Sequence, residues 1–346
     1  MGGDEATLAD SAVAALRRIA FVLEAEGAPT YKVRAFRNAA VTVGALDPAD
    51  LARLGQSNRL QDLPGIGRST ARVIAECLAG TEPAYLRSLG TGSRAETPGP
   101  AGELLGALRG DCHSHSDWSD GGSPIEEMAR AAAELGRDYQ ALTDHSPRLT
   151  VAHGLRADDL RRQLEVVAAL NEELAPFRLL TGIEVDILED GSLDQDRGLL
   201  AELDVVVASV HSKLRMESAG MTRRLLAAVE SPLVDILGHC TGRIIAGRGR
   251  PQSSFDHEAV FRACAESDTA VEINSRPERR DPPRDLLELA LGVGCRFTID
   301  SDAHAPGQLT WLAFGCEQAA EARVPHASIV NTMSLADFLV WTSSHR

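Results

Sequence analysis

Between residues 105 and 346, short apolar, β-branched runs alternate with helical stretches, and nearly every run stops at His, Asp or Glu. The runs end at His115, His145, Glu184, His211, His239, Asn274 and Asp302. Helical spacing of apolar residues covers 123–136, 156–174, 254–267 and 283–292 between them. Such alternation builds a parallel sheet, and about seven βα units close most economically into a barrel. Parallel strands finish at the same end, so the residues at those ends converge on one mouth. Six of the ten histidines stand at such ends.

A lone histidine is usually a satisfied core or surface residue. Six gathered at strand ends form a metal-ligand pattern, with His113/His115 in "GDCHSH", Glu184 in "TGIEVD" and Asp302/His304 in "TIDSDAH". Mixed imidazole and carboxylate donors suit Mn²⁺, Zn²⁺ or iron. Paired divalent cations promote phosphoester hydrolysis by acidifying water and neutralising phosphate charge. Asp117 and Asp120 follow close behind the first pair, and Asp117 is expected to shape a turn. Arg243 of "CTGR" and Arg276 of "NSRPER" are candidate phosphate clamps, and Asn274 a candidate neighbour of the substrate. His153, His257, His326 and His345 lack strand-end placement and are expected to take no part.

The first 89 residues read differently. Residues 8–26, 32–46 and 48–55 have helical periodicity, and "LPGIGRSTARVIAECLAG" is a glycine turn entering another helix, the signature of a helix-hairpin-helix motif. Gly65, Ile66, Gly67 and Arg68 set free N–H groups at a helix N-terminus, a natural phosphate seat. Arg72 follows on that helix, and Lys32, Arg34 and Arg37 in "YKVRAFRNAA" form a compact basic cluster. Contacts from such a cluster go to the DNA backbone and carry no sequence preference. The Gly-, Pro-, Ser- and Thr-rich stretch around 90–104 reads as a linker. The expected organisation is therefore a helix-hairpin-helix domain over 1–89, a linker over 90–104 and a barrel over 105–346.

Charge is uneven. Residues 1–90 balance ten Lys/Arg against ten Asp/Glu, so the net charge of −15 falls entirely on the remainder. That acidity excludes bulk electrostatic coating of nucleic acid and suits bound cations. The six cysteines form no CxxC pair and are expected to be reduced and buried. No apolar run reaches membrane-spanning length, and "MGGDEATLAD" lacks a secretory pattern, so no membrane partner and a cytoplasmic location are expected.

The motifs "GDCHSHSDWSDGG", "ALTDHS", "TGIEVDI", "ASVHS", "LGHCTGR" and "TIDSDAHAP" resemble those of PHP (polymerase and histidinol phosphatase) domains. Through nearly all of residues 108–342 the likeness is to the C-terminal PHP domain of bacterial family X DNA polymerases. Cys240 departs from the pattern, because proline usually follows that histidine. The resemblance implies a distorted (βα)7 barrel holding three divalent metal ions. By motif, His113, His115, Glu184 and Asp302 would hold the first, Glu184, His211 and His239 the second, and Asp120, His145 and His304 the third.

Residues 8–88 likewise resemble the small N-terminal domain of the same polymerases. Val73 stands where some relatives carry a lysine nucleophile, so lyase activity is not expected. Only the linker stands where the polymerase region would be inserted, which leaves a separate repair polymerase as a candidate partner. The resemblance implies a metal-dependent phosphoesterase acting on DNA ends, as a 3′→5′ exonuclease, a 3′-phosphatase or an abasic-site endonuclease. Alternatives are a small-molecule phosphatase of the histidinol-phosphatase type and a non-catalytic DNA-end scaffold.

Overall fold

The computed structural model describes residues 2–89 and 97–344. Two compact units divide the chain, Met1–Glu96 and Thr97–Arg346.

The first unit is all helical: α1 (Gly2–Ala25), α2 (Thr30–Gly44), α3 (Pro48–Gln56), α4 (Arg68–Leu78) and α5 (Ala84–Leu89). Along α1, Ala12, Leu16, Ile19 and Leu23 recur at helical spacing and are buried with Phe36, Val43, Leu51 and Ile74. The segment before α4 is a hydrogen-bonded turn, Ile66 N–H donating to Leu63 O at 3.2 Å. Pro64 and Gly65 occupy its centre, and Gly65 takes the positive φ (+76°) that a type II turn requires. Gly67 then caps α4, its N–H donating to Thr70 Oγ1 at 2.9 Å. Val73 is buried in this core.

The second unit opens with α6 (Gly99–Ala107) and continues as β1 (Gly110–Asp111), α7 (Ile125–Glu134), β2 (Tyr139–Leu142), α8 (Ala157–Leu174), β3 (Arg178–Asp186), α9 (Arg197–Glu202), β4 (Val205–Ser209), α10 (Ser218–Val229), β5 (Ile236–Leu237), α11 (His257–Glu266), β6 (Ala270–Asn274), α12 (Arg284–Gly292), β7 (Phe297–Asp300), α13 (Leu312–Glu321) and α14 (Leu335–Ser343). All seven strands are parallel and lie in chain order. Runs such as "VVVAS" in β4 are buried throughout, as strands covered on both faces must be.

Part of the expected linker is structured. Residues 90–96 lie outside the described residues, but 99–104 begin α6, whose Ala101 and Leu104 are buried in the second unit's core. Proline in the first helical turn needs no N–H bond, and Ala101, Leu104 and Leu108 supply an apolar face that the Gly/Pro composition obscured.

The strand ends also differ from expectation. Regular pairing stops at Asp111, Leu142, Ser209, Leu237 and Asp300, so most of the expected ligands leave the barrel on the loops that follow. Glu184 is the exception, because β3 is long. Its first half, Arg178–Thr181, pairs with β2 and its second half, Gly182–Asp186, pairs with β4. The crossing point is Gly182, where a Cβ would come within 2.9 Å of Leu142 O and 3.0 Å of Val205 O. Only glycine permits that approach.

Side chains nearly close the barrel between β1 and β7. Asp300 Oδ1 accepts from Cys112 N–H at 2.8 Å, and Asp111 Oδ1 accepts from Ser301 N–H at 3.1 Å. Asn331 fills the remaining gap: its Nδ2 donates to Gly110 O and Ile299 O at 3.1 and 2.8 Å, and its Oδ1 accepts from Ile299 N–H at 3.1 Å. This fully buried amide acts as a short piece of strand. Asn331→Ala leaves these three buried backbone groups unpaired, each at a cost of about 1–3 kcal/mol. Urea unfolding of the full chain is expected to show a loss of at least ~3 kcal/mol in the barrel transition; a loss within ~0.5 kcal/mol would contradict this role.

Candidate metal centre

The C-terminal mouth of the barrel is built around Glu184, which is 1% exposed. Its two oxygens face different histidines. Oε1 lies 3.2 Å from His211 Nε2 and 2.9 Å from His239 Nε2. Oε2 lies 2.8 Å from His145 Nδ1, 3.4 Å from His113 Nε2 and 3.6 Å from His115 Nε2. Asp302 approaches from β7, Oδ1 standing 3.4 Å from His115 Nε2 and 4.0 Å from His113 Nε2. A third cluster stands at the rim, where Asp120 Oδ1 is 3.4 Å from His145 Nε2 and 3.2 Å from His304 Nε2. Backbone turns help to place these groups: Asp302 and His239 take positive φ (+51° and +21°), which bends the chain sharply after β7 and β5.

All nine expected ligands thus stand around one mouth. Three overlapping groups place donor atoms within 4.8 Å of one another: His115/Asp120/His145/His304, His113/His115/Glu184 and His145/Glu184/His211. They overlap the three sets expected by motif but are not identical to them: His115 joins the rim group, His145 takes the place expected of His239 beside His211, and Asp302 and His239 fall in none of the three. Asp117, His153, His257 and His326 join none of the groups among the described residues, and His345 lies outside them.

The donors fit cations. His113 Nε2, both ring nitrogens of His115 and His239 Nδ1 are buried without a hydrogen-bond partner among the described residues. Orphaned buried donors and acceptors cost about 1–3 kcal/mol each, which divalent cations on these atoms would recover. Electrostatics agree. Burial pushes the Glu184 carboxyl up, but the fields of His211, His113 and His145 outweigh it and hold the group well below the usual range. Burial pushes His113 down, but Glu272, Glu184 and Asp302 carry it well above the usual imidazole value. His115 falls well below that value through burial and the neighbouring His304 and His145.

The sequence reading missed the groups that orient these ligands. Glu272 on β6 lies 2.6 Å from His113 Nδ1 through Oε1, while Oε2 accepts from His239 N–H at 2.5 Å and Asn274 Nδ2 at 3.2 Å. Asp186 accepts from His211 N–H at 3.2 Å. Asp144 accepts from Ser116 N–H and Oγ and from Gln163 Nε2, and its bond from Ser119 Oγ helps pin the loop that carries Asp120. A signal was present: Glu184/Asp186 and Glu272/Asn274 are i, i+2 pairs that share a strand face.

Two expected substrate contacts are corrected. Arg243 donates Nε to Arg279 O at 3.0 Å and Nη2 to Arg280 O, so it braces the 276–280 loop from behind. Asn274 is fully buried and donates to Asp302 Oδ2 at 3.0 Å, holding that carboxylate in place. Arg276 does line the mouth, and so does Arg279, which was not anticipated; they lie 3.6 and 3.4 Å from Asp302. The cavity between them and the histidines measures about 300 Å³. Cys240 and the other five cysteines are free and buried, as expected of reduced thiols.

In the first unit, Arg34 and Arg68 are exposed and no ion pair engages them among the described residues. Arg37 is otherwise placed: Nε and Nη2 each lie 2.8 Å from a carboxylate oxygen of the buried Glu24. A carboxylate in that core needs a counter-ion, and Arg37 supplies it instead of facing DNA. Lys32 stands 5.7 Å over the Tyr85 ring, and Arg72 pairs with Glu76 at 2.9 Å. Ile66 is buried beneath the glycine turn.

Residues 111–276 match the family model described as "PHP domain", and residues 10–82 match "Helix-hairpin-helix domain". The chain is 39% identical over 249 residues to the "DNA polymerase/3'-5' exonuclease PolX" of Bacillus subtilis (strain 168). That match covers 71% of this chain but 43% of the relative's length. A probable phosphatase of Thermoanaerobacter sp. (strain X514) is 31% identical over 206 residues, 56% of this chain and 78% of that protein. Among solved structures, histidinol phosphate phosphatase from Lactococcus lactis subsp. lactis Il1403, complexed with zinc, L-histidinol and phosphate, is 19% identical with a TM-score of 0.43, covering 62% of this chain and 92% of that one. No helix of the described residues is long and apolar enough to cross a membrane.

Glu272→Gln keeps the shape but removes the charge that orients His113. A tenfold to hundredfold loss of Mn²⁺ affinity is expected in a chelator-competition titration, with unchanged circular dichroism. Wild-type affinity in the variant would remove Glu272 from the account.

Proposed function

This chain belongs to the PHP family of metal-dependent phosphoesterases, and on that premise we propose that its substrates are phosphoesters at DNA ends. The observation that carries the proposal is the pairing, in one chain, of this hydrolytic mouth with a helix-hairpin-helix unit that offers the α4 N-terminus beside exposed Arg68 and Arg34. Similarity to a polymerase/exonuclease over 71% of the chain supports it.

We assign three divalent ions to the mouth, Mn²⁺ or Zn²⁺, with iron also suited by donor type. His113, His115, Glu184 and Asp302 would hold the first, Glu184, His211 and His239 the second, and Asp120, His145 and His304 the third. Bound there, such ions supply Lewis acidity toward phosphoryl oxygens and acidify water near neutral pH. The chain's own residues do the rest. Arg276 and Arg279 hold phosphate oxygens at the mouth, and Glu272, Asp186, Asp144 and Asn274 keep the ligands in register. No hydroxyl or thiol lines the cavity among the described residues, which favours direct attack by water on phosphorus over a Ser-, Thr- or Cys-linked intermediate. In the first unit, Gly65, Gly67, Arg68 and Arg34 would contact the DNA backbone over the supporting Ile66, with Lys32 at the margin.

A second reading, hydrolysis of small phosphomonoesters, is favoured by the cavity of about 300 Å³ and by the Thermoanaerobacter relative, most of whose length this chain spans. The two part on one assay. With Mn²⁺, end-labelled DNA with recessed, gapped or 3′-phosphate termini should be shortened or dephosphorylated faster than histidinol phosphate is hydrolysed. The His113→Ala/His115→Ala variant should lose activity by about three orders of magnitude or more yet still bind DNA. Intact DNA over a broad pH range, with histidinol phosphate consumed, would establish the second reading in its place.

A further inference from the structure

Two loops rim the mouth with a chemistry that metal binding does not use. After β2, residues 148–153 form a hydrogen-bonded turn, with Ala152 N–H donating to Leu149 O at 3.0 Å and Arg148 N–H to Asp194 Oδ2 at 2.5 Å. After β5, residues 244–250 form a hairpin in which Ile244 and Arg250 exchange N–H···O bonds of 2.9 and 2.8 Å. Gly247 and Gly249 take positive φ at its tip, and Ile245 N–H ties it to Glu278 O at 2.7 Å. Each loop puts one apolar residue into the cavity wall, Leu149 and Ile244. Each also lifts a second into solvent: Val151 is 85% exposed and Ile245 55%. These are two of the five large hydrophobic side chains exposed among the described residues.

Scattered exposed apolar residues need no explanation, but placement and charge set this pair apart. In a seven-stranded barrel, loops three strands apart stand as far across the mouth as the topology allows, which is the separation of β2 and β5. The surrounding charge runs against the rest of the unit. Segments 243–250 and 276–280 together carry six arginines and one glutamate, within a region that bears the whole net −15. Arg148 and Arg248, beside the two exposed apolar residues, are themselves exposed. Apolar side chains flanked by arginines suit a nucleic-acid strand, whose bases present flat apolar faces and whose phosphates are anionic.

Building on the DNA-end reading above, we infer that loop 148–153 and hairpin 244–250 are opposed walls that grip a single-stranded DNA terminus. Val151 and Ile245 pack on the terminal bases, and Arg148 and Arg248 neutralise phosphates upstream of the scissile bond. The substrate class is thus an unpaired end of several nucleotides.

The test compares wild type with Val151→Ala/Ile245→Ala on two substrates in Mn²⁺. One is an end-labelled oligonucleotide with a single-stranded 3′ tail; the other is bis(p-nitrophenyl) phosphate, a diester that carries no nucleobase. Both substituted side chains are exposed, so folding is not at stake, and the small ester checks the metal centre. The variant should lose about tenfold or more in kcat/KM on the oligonucleotide while staying within about twofold on the ester. Unchanged oligonucleotide cleavage, or a parallel loss on both substrates, overturns the wall assignment and leaves the DNA-end reading standing. A wild-type chain that leaves the oligonucleotide intact sinks that reading as well as this inference.

Discussion

A single buried carboxylate organises the second unit. Removing Glu184 from water costs several kcal/mol unless positive charge compensates it, and the fold surrounds it with five imidazoles instead of a lysine or arginine. Imidazoles compensate only when they carry protons or hold cations. Other features follow from that requirement. β3 must outrun β2 to bring Glu184 to the centre, and Gly182 must have no side chain for β3 to change partners. The two oxygens then divide the histidines between them.

A ring of acceptors fixes the imidazoles in turn. Glu272 reaches both His113 and the backbone of His239, and Asp186 does the same for His211. Second-layer carboxylates of this kind set the ring orientation and raise ligand basicity. The seam between β1 and β7 is held largely by side chains: Asp111, Asp300 and Asn331 stand in for a ladder that two-residue β1 is too short to supply. The first unit uses the same physics on a smaller scale, with buried Glu24 held by Arg37.

The order of elements and the identity of the mouth were readable in the chain itself. Helical and strand periods switch cleanly, and the ligands recur at the ends of apolar runs. Three things were not readable. Glu272 and Asp186 stand inside strands whose hydrophobic neighbours mask them, so only the i, i+2 relation betrays them. The partners of arginines depend on loop paths, so Arg243 and Arg37 looked free. Local composition also misled at 99–104, where glycine and proline suggested a linker although three apolar residues four and three apart make a helix face.

Metal stoichiometry tests the central claim most directly. The full chain, loaded with Mn²⁺ or Zn²⁺ and freed of excess by dialysis, should retain three ions by elemental analysis. Glu184→Gln should retain one, because the rim set of Asp120, His145 and His304 does not include that carboxylate. A wild-type chain that hydrolyses phosphoesters with no bound metal, or a Glu184→Gln chain with full metal content, would contradict the account.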